Sequence, residues 1–396
     1  MSALLIEPHF RSFSGHYSRY VRVVAAEAAK RDQTVSVAAS KRIEKDVRAT
    51  LEHEGIAVHP VFPTIPYRLS PNRAAQCQTT YLVAEAALRH IGDHPSDSIA
   101  WLSGIPSLVE AAGVVSDTVR RPIPFQFIDF ADDWPAGAGS APLIVRRSLK
   151  HAAEAGLKLY AQTEYLAEIA SAECGVRFAP FPPILDSKPT DHRHHKTDRP
   201  RIGLMNMFIH RKHIDSVVAA VRRHSSTADF VFHTGRLGRR SFDKYITTLE
   251  KCGAEVLPGI LPPAEYNRAW ASLDAVILPY EQPKYDRQCS GMMFESLHDG
   301  IVPIVPDKTS MAALARQSGV GLVYDSYDPG ALENAVATLA KNFAELQRDA
   351  VAYSSHWREQ NSPRSVYDTL EQAWQGEGSD IPGLMRNVTY ELPIRR

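Results

Sequence analysis

Two doubly wound α/β domains in series are the fold this sequence predicts, and three observations predict it. Short apolar runs alternate with amphipathic segments along nearly the whole chain. The alternation breaks once, in a polar and proline-rich stretch, and then restarts. The 396 residues also exceed the usual size of a single domain. Strands alternating with helices imply parallel sheets covered on both faces.

The first block opens with "ALLIE", a short buried strand, followed by "GHYSRYVRVVAAEAAKR", in which Tyr20, Val24 and Ala28, with Val21 and Ala25, fall on one side at helical spacing. "TVSVAAS" and "IAVHPVF" are the next strands, and a helix is predicted from Asn72 to His90. "SIAWLSG", a helix near Leu108, "IPFQFIDF", a helix near Arg147 and "LKLYAQT" complete the block. "APFPPILDSKPTDHRHHKTDRP" then carries proline and polar residues without an apolar period, and the interdomain linker is assigned to 186–200 within it. The second block reads as strands at "RIGLMNM", "DFVFHTG", "AEVLPGI", "DAVILPY", "IVPIV" and "VGLVYD", each followed by a helical segment. The expected division is a first domain over 1–185, a second over 201–357, and a helical end with a polar tail over 358–396. Ligands of such sheets bind outside the strand C-termini, so the cleft between the domains is the expected site.

Composition excludes several classes. Hydrophobic content of 44% supports packed cores rather than disorder, and equal totals of 45 basic and 45 acidic residues give no global attraction to nucleic acid. The four cysteines, Cys77, Cys174, Cys252 and Cys289, form no C-x-x-C pair, which argues against a zinc or disulfide framework and fits a reducing cytosol. "MSALLIEPHF" lacks the pattern of a signal peptide, and no run approaches a membrane span. His192, His194 and His195 lie in the linker, where a solvated tract is expected rather than a metal site. No G-x-G-x-x-G stands at a strand–helix turn, which argues against a dinucleotide-dependent oxidoreductase.

Chemistry concentrates in "YEQPKYDRQCSGMMFESLHDGIVPIV", 280–305. A helix beginning near Ser290 presents its unpaired amides at the cleft rim, and Gly291 lets a ligand approach the backbone; the pair suits a diphosphate or a plain helix cap. Glu295, about one turn further in, sits among Met292, Met293, Phe294 and Leu297. A carboxylate in apolar surroundings needs partners, and two sugar hydroxyls would supply them. Arg287 fits either an anionic donor group or an ion pair with Asp286 or Glu281. Arg211 and Lys212 form a basic helix start, against the dipole, which suits either a solvated surface or an anion that needs neutralising. Arg236, Arg239 and Arg240 make a second basic group, equally suited to a surface cluster. Gly15 and His16 open the first helix at a strand end, allowing close approach and donation to a substrate oxygen. Asp129, Asp132 and Asp133 follow another strand, and Asp129 suits acceptor hydroxyls or a helix-capping or loop role.

The segment from Arg201 to Leu339 resembles the nucleotide-binding domain of the GT-B glycosyltransferases, above all the retaining glycosyltransferase family 4, through "LPY", the R287-x7-E295 spacing, "SLHDGIVPIV", "VFHTG" and "GVGLVYD". The resemblance implies two Rossmann-like domains facing a cleft. It implies a nucleotide-diphosphate sugar such as a UDP- or GDP-sugar as donor, a saccharide or lipid-linked acceptor in the first domain, and transfer of a hexose-like sugar with retention and without metal or cofactor. It assigns Glu295 to the ribose, Ser290 and Gly291 to the donor phosphates and sugar, and Gly15 and Gly235 to the donor pocket. Arg287 stands where the family carries a carboxylate that touches the donor sugar, and Met207 where it carries an arginine. The resemblance further implies bacterial polysaccharide or glycoconjugate synthesis in the cytoplasm, compatible with peripheral attachment at the inner membrane face. It also implies that the last helix, "SPRSVYDTLEQAW", crosses back to the first domain. A nucleotide-sugar 2-epimerase on the same fold, or a protein that binds the donor without catalysis, are the competing readings.

Overall fold

The structure is a computed structural model, and it describes residues 1–13, 17–65, 72–128, 143–185, 199–205, 214–235, 243–280 and 284–376. The first sheet holds β1 (Ser2–Glu7), β2 (Thr34–Ser40), β3 (Ala57–Phe62), β4 (Ser98–Gly104), β5 (Ile123–Phe127), β6 (Leu157–Ala161) and β7 (Ala179–Pro180), in the order β3-β2-β1-β4-β5-β6-β7. Every neighbouring pair is parallel. The second sheet holds β8 (Arg201–Leu204), β9 (Asp229–His233), β10 (Glu255–Leu257), β11 (Ala275–Ile277), β12 (Val302–Pro306) and β13 (Leu322–Tyr324), in the order β10-β9-β8-β11-β12-β13, again all parallel. In each sheet the winding reverses between the first strand and the fourth. The crevice at the strand C-termini therefore opens at β1/β4 and at β8/β11.

The helices are α1 (Tyr17–Ala29), α2 (Lys45–His53), α3 (Arg73–Asp93), α4 (Val109–Val119), α5 (Leu143–Glu154) and α6 (Glu164–Cys174) around the first sheet. Around the second lie α7 (Ile214–His224), α8 (Asp243–Lys251), α9 (Pro263–Ala271), α10 (Gly291–Asp299), α11 (Ser310–Ser318), α12 (Ala331–Lys341) and α13 (Phe343–Gln360). Their ends follow local chemistry. The Asn72 side chain accepts from the Ala74 amide at 2.9 Å to start α3, and Thr309 accepts from Ala312 at 3.1 Å to start α11. Gly300, left-handed at φ 69°, ends α10 and turns the chain directly into β12.

The last helix, α14 (Pro363–Trp374), begins with Ser362 as cap and proline in its first turn. It packs on the first sheet's side of the molecule. Trp374 Nε1 donates to the Ile99 carbonyl at 2.7 Å, Arg31 Nη2 of α1 pairs with Asp368 at 2.6 Å, and the Arg31 guanidinium lies 4.4 Å from the Tyr367 ring centre.

Two elements differ from the sequence reading. α2, with Val47 and Leu51 buried against β3, has no counterpart in it. Its remaining positions are charged or polar, so its apolar stripe is too thin to show as a period. β7 pairs with β6 through Tyr160↔Ala179 and Ala161↔Pro180, inside a stretch whose prolines read as linker. An edge position tolerates proline because one side of the strand needs no donor. Among the described residues no helix is long and apolar enough to cross a membrane.

Candidate functional site

α10 starts where the chain leaves β11 and rounds a short 3-10 turn at Lys284–Asp286. Ser290 holds the cap position in extended backbone but makes no side-chain cap bond. Its hydroxyl instead donates to the Tyr280 phenol oxygen at 3.0 Å. A methyl group placed on Gly291 would meet nothing within 4 Å among the described residues. Among those residues the positive end of this helix is thus uncovered, and Ser290 does not cap its first amides.

Glu295 lies four residues beyond Gly291 and so on the same face of α10. Its Oε1 sits 3.1 Å from Arg19 Nη1 of α1, and the two side chains are 25% and 35% exposed. Tyr266 of α9 stands close enough to feel that carboxylate: burial first, then the charge of Glu295, pushes its phenol well above the tyrosine range. Tyr266 stacks on Trp270 at 6.4 Å and meets His233 edge-on at 5.8 Å. His233 Nε2 and the Gly259 carbonyl are 2.9 Å apart, and the Gly259 amide donates to Thr234 Oγ1 at 2.9 Å. The loop after β9 and the loop after β10 are thereby tied together beside Glu295. Gly235 follows at once in left-handed conformation, φ 64°, a turn that a side chain would strain.

Arg287 is engaged by carboxylates. Nη2 lies 2.7 Å from Glu173 Oε1, Nε lies 3.1 Å from Oε2, and Nη1 lies 3.2 Å from Asp286. Arg287 and Glu173 side chains are only 11% and 14% exposed. The hydrogen bond to Glu173, ahead of every other influence, raises the arginine's already high pKa. Of the two roles open to Arg287, the fork shown here is an ion pair, in part with the expected Asp286. Its main partner, Glu173 at the end of α6, belongs to the other half of the molecule. Gln317 of α11 adds a third bridge, donating to Glu164 at 3.0 Å.

Glu7 was read as part of a buried strand and not as a functional group. It is the last residue of β1, at the winding reversal, and is fully buried. Its Oε1 accepts from the Leu102 amide at 3.2 Å, while Oε2 is buried with no hydrogen-bond partner among the described residues. Burial pushes its pKa up to about 8, against the smaller lowering effect of the nearby Ser103 side chain and the Leu102 amide, so it is protonated at neutral pH. A carboxylate ending an apolar strand is itself a signal of this kind, since the C-terminal ends of such strands face ligands.

Several expected residues fall outside the described parts of the chain: Gly15 and His16, Arg211 and Lys212 with Met207, Arg236, Arg239 and Arg240, the Asp129–Asp133 group, Glu281, and the linker histidines. The structure brings together Ser290, Gly291 and Glu295, and adds Arg19, Tyr266 and Glu173, which the sequence reading missed. A groove of about 1100 Å³ lies elsewhere, along α3, α4 and α5 between Tyr81, Val114 and Arg147. The α10 end is the better candidate because it combines an open helix terminus with an inward carboxylate.

No family model and no curated protein matches this sequence. Solved structures do match in shape. HepE (Alr3699) of Anabaena in complex with UDP superposes with a TM-score of 0.66 at 12% identity, covering 95% of this chain and 100% of that one. A glycosyltransferase from Rickettsia africae gives 0.69 at 12% identity over 94% and 98% of the two chains. Sucrose-phosphate synthase from Thermosynechococcus elongatus gives 0.63 at 14% identity over 95% and 98%. The fold is therefore GT-B: two parallel-sheet α/β domains of the kind these glycosyltransferases share.

Proposed function

We propose that the protein is a glycosyltransferase that takes a sugar from a nucleotide-diphosphate donor. The observation that carries this reading is the open N-terminus of α10 with Glu295 one turn inside on the same face. The diphosphate sits against the α10 amides, and the Glu295 carboxylate accepts from two ribose hydroxyls. HepE, similar in fold, is known with UDP and with UDP-glucose bound, which supports a UDP-sugar as the first donor to try. In the reaction the bond from the anomeric carbon to the phosphate oxygen breaks and a bond to the acceptor oxygen forms. The acceptor's proton passes to the departing diphosphate, so no separate base is required. Arg211 and Lys212 neutralise the leaving group, and His16 donates to it or to the sugar. Retention of configuration, independence of metal, a saccharide or lipid-linked acceptor and a cytoplasmic setting at or near a membrane face complete the proposal.

A second reading, donor binding without transfer, has one observation in its favour. Arg287, standing where the resemblance implies a sugar-binding carboxylate, is held by Glu173. Thermal shift with UDP-, GDP-, ADP- and dTDP-sugars, with NAD as control, tests both readings at the binding step. A rise with one nucleotide-sugar class supports the site, and a rise with NAD alone overturns it. Release of free nucleoside diphosphate only when an acceptor is present then separates transfer from binding.

Gly291→Ala isolates the diphosphate seat. The new methyl meets no protein atom within 4 Å among the described residues, and alanine is the better helix former, so the melting temperature stays within about 2 °C of wild type. The methyl occupies the space the donor needs, and donor affinity falls by about tenfold or more, as lost backbone hydrogen bonds to a charged ligand require. Unchanged affinity by calorimetry would remove the α10 end from the donor site.

A further inference from the structure

Away from the cleft, on the edge strand of the first sheet, three histidines meet. His59 projects from β3, His90 from the last turn of α3, and His94 caps that helix, its amide donating to the His90 carbonyl at 2.8 Å. The ring centres lie 4.7 Å (His59–His90), 4.9 Å (His59–His94) and 4.7 Å (His90–His94) apart. One ring nitrogen from each lies within 4.8 Å of the others. His90 is 7% exposed and its Nε2 is buried with no hydrogen-bond partner among the described residues. A polar nitrogen in that state costs stability unless something binds it.

We propose that His59, His90 and His94 form a Zn²⁺ site that staples the C-terminal end of α3 to the edge strand β3. The donor set fits. Imidazole nitrogens suit zinc, three of them with one open position is a known coordination pattern, and the exposed His94 leaves that position to water. Tetrahedral coordination with Zn–N near 2.1 Å places the nitrogens about 3.4 Å apart. The present spread needs a closure of no more than about 1.4 Å, within reach of side-chain rotation for a half-buried and an exposed ring. Two of the rings are also in the right protonation state. Burial, then the neighbouring imidazoles, lowers the pKa of His59, and the same causes bring His90 to about 4, so both offer lone pairs at neutral pH. The charged groups that act on His59 and His90 are Arg48 and Glu52 of α2 and Asp93 at the end of α3. The pairing of His90 and His94 four residues apart with a strand histidine is what separates this cluster from the linker tract.

The test uses the full, untagged chain stripped with a chelator and titrated with Zn²⁺ against a chromophoric zinc indicator. The expected result is one tight, saturable equivalent and a melting temperature raised by about 5 °C. His94→Gln, at an exposed position that the fold does not need, and His59→Asn each weaken zinc binding by about tenfold or more and remove the temperature shift. Replacing His192, His194 and His195 together by alanine leaves both intact. Absence of saturable binding, equal affinity in His94→Gln and His59→Asn, or loss of binding in the linker variant would each overturn the site.

Discussion

Glu295→Ala binds a nucleotide-diphosphate sugar about 30- to 1000-fold more weakly than the wild-type chain, because it gives up two hydrogen bonds to a charged acceptor, together worth about 2–4 kcal/mol. The same substitution leaves stability nearly untouched. The pair it breaks, Arg19 with Glu295, has side chains 35% and 25% exposed, and an ion pair so open to water contributes at most about 1 kcal/mol. The contrast is what makes the experiment informative, since a buried structural glutamate would show the reverse. Arg19→Ala provides the companion measurement. In the structure Arg19 occupies one oxygen of the carboxylate that the ribose is proposed to use. Removing it frees that oxygen, and donor affinity is retained or rises. Full donor affinity in Glu295→Ala, measured by calorimetry, would end the ribose assignment.

Glu7→Gln stabilises the protein at pH 8 and changes little at pH 5. The folded chain holds the Glu7 proton up to a pKa of about 8, whereas the ordinary value of the unfolded chain is 4.5. Between those two values the unfolded state releases a proton that the folded state keeps. Wild-type stability contributed at this residue is therefore whole below pH 4.5, declines as pH rises, and is spent above about 8. Glutamine cannot ionise, so it removes the decline. The difference at pH 8 is on the order of 3 kcal/mol, reduced from the full linkage value because water reaches even buried sites. Urea denaturation of both chains at pH 5, 6, 7 and 8 measures it. Curves that stay parallel across that range would show that Glu7 is not protonated in the folded state.

The sheets were legible in the sequence because parallel strands buried on both faces appear as unbroken apolar runs. β4, "SIAWLSG", is buried along its whole length, and so is β12, "VPIVP". The strand order was not written there, since alternation of strand and helix does not say where each strand inserts. Ser290, Gly291 and Glu295 were legible because they lie within about a turn and a half of each other at the start of one helix. Arg19 and Glu295 are 276 positions apart, and Arg287 and Glu173 are 114 apart; no local spacing signals either pair. The histidine cluster was not singled out in the sequence, since His90 ends the expected helix and His94 falls just past it. Its third member comes from a strand that the sequence places before that helix, and only the sheet brings it near.

The return of α14 to the first domain has a mechanical consequence. The polypeptide passes between the two halves of the molecule twice, once between β7 and β8 and again at Asn361–Ser362. Two covalent connections hold the halves more closely than a single linker would, and any parting of the halves has to break the Arg19–Glu295 and Arg287–Glu173 pairs that bridge them.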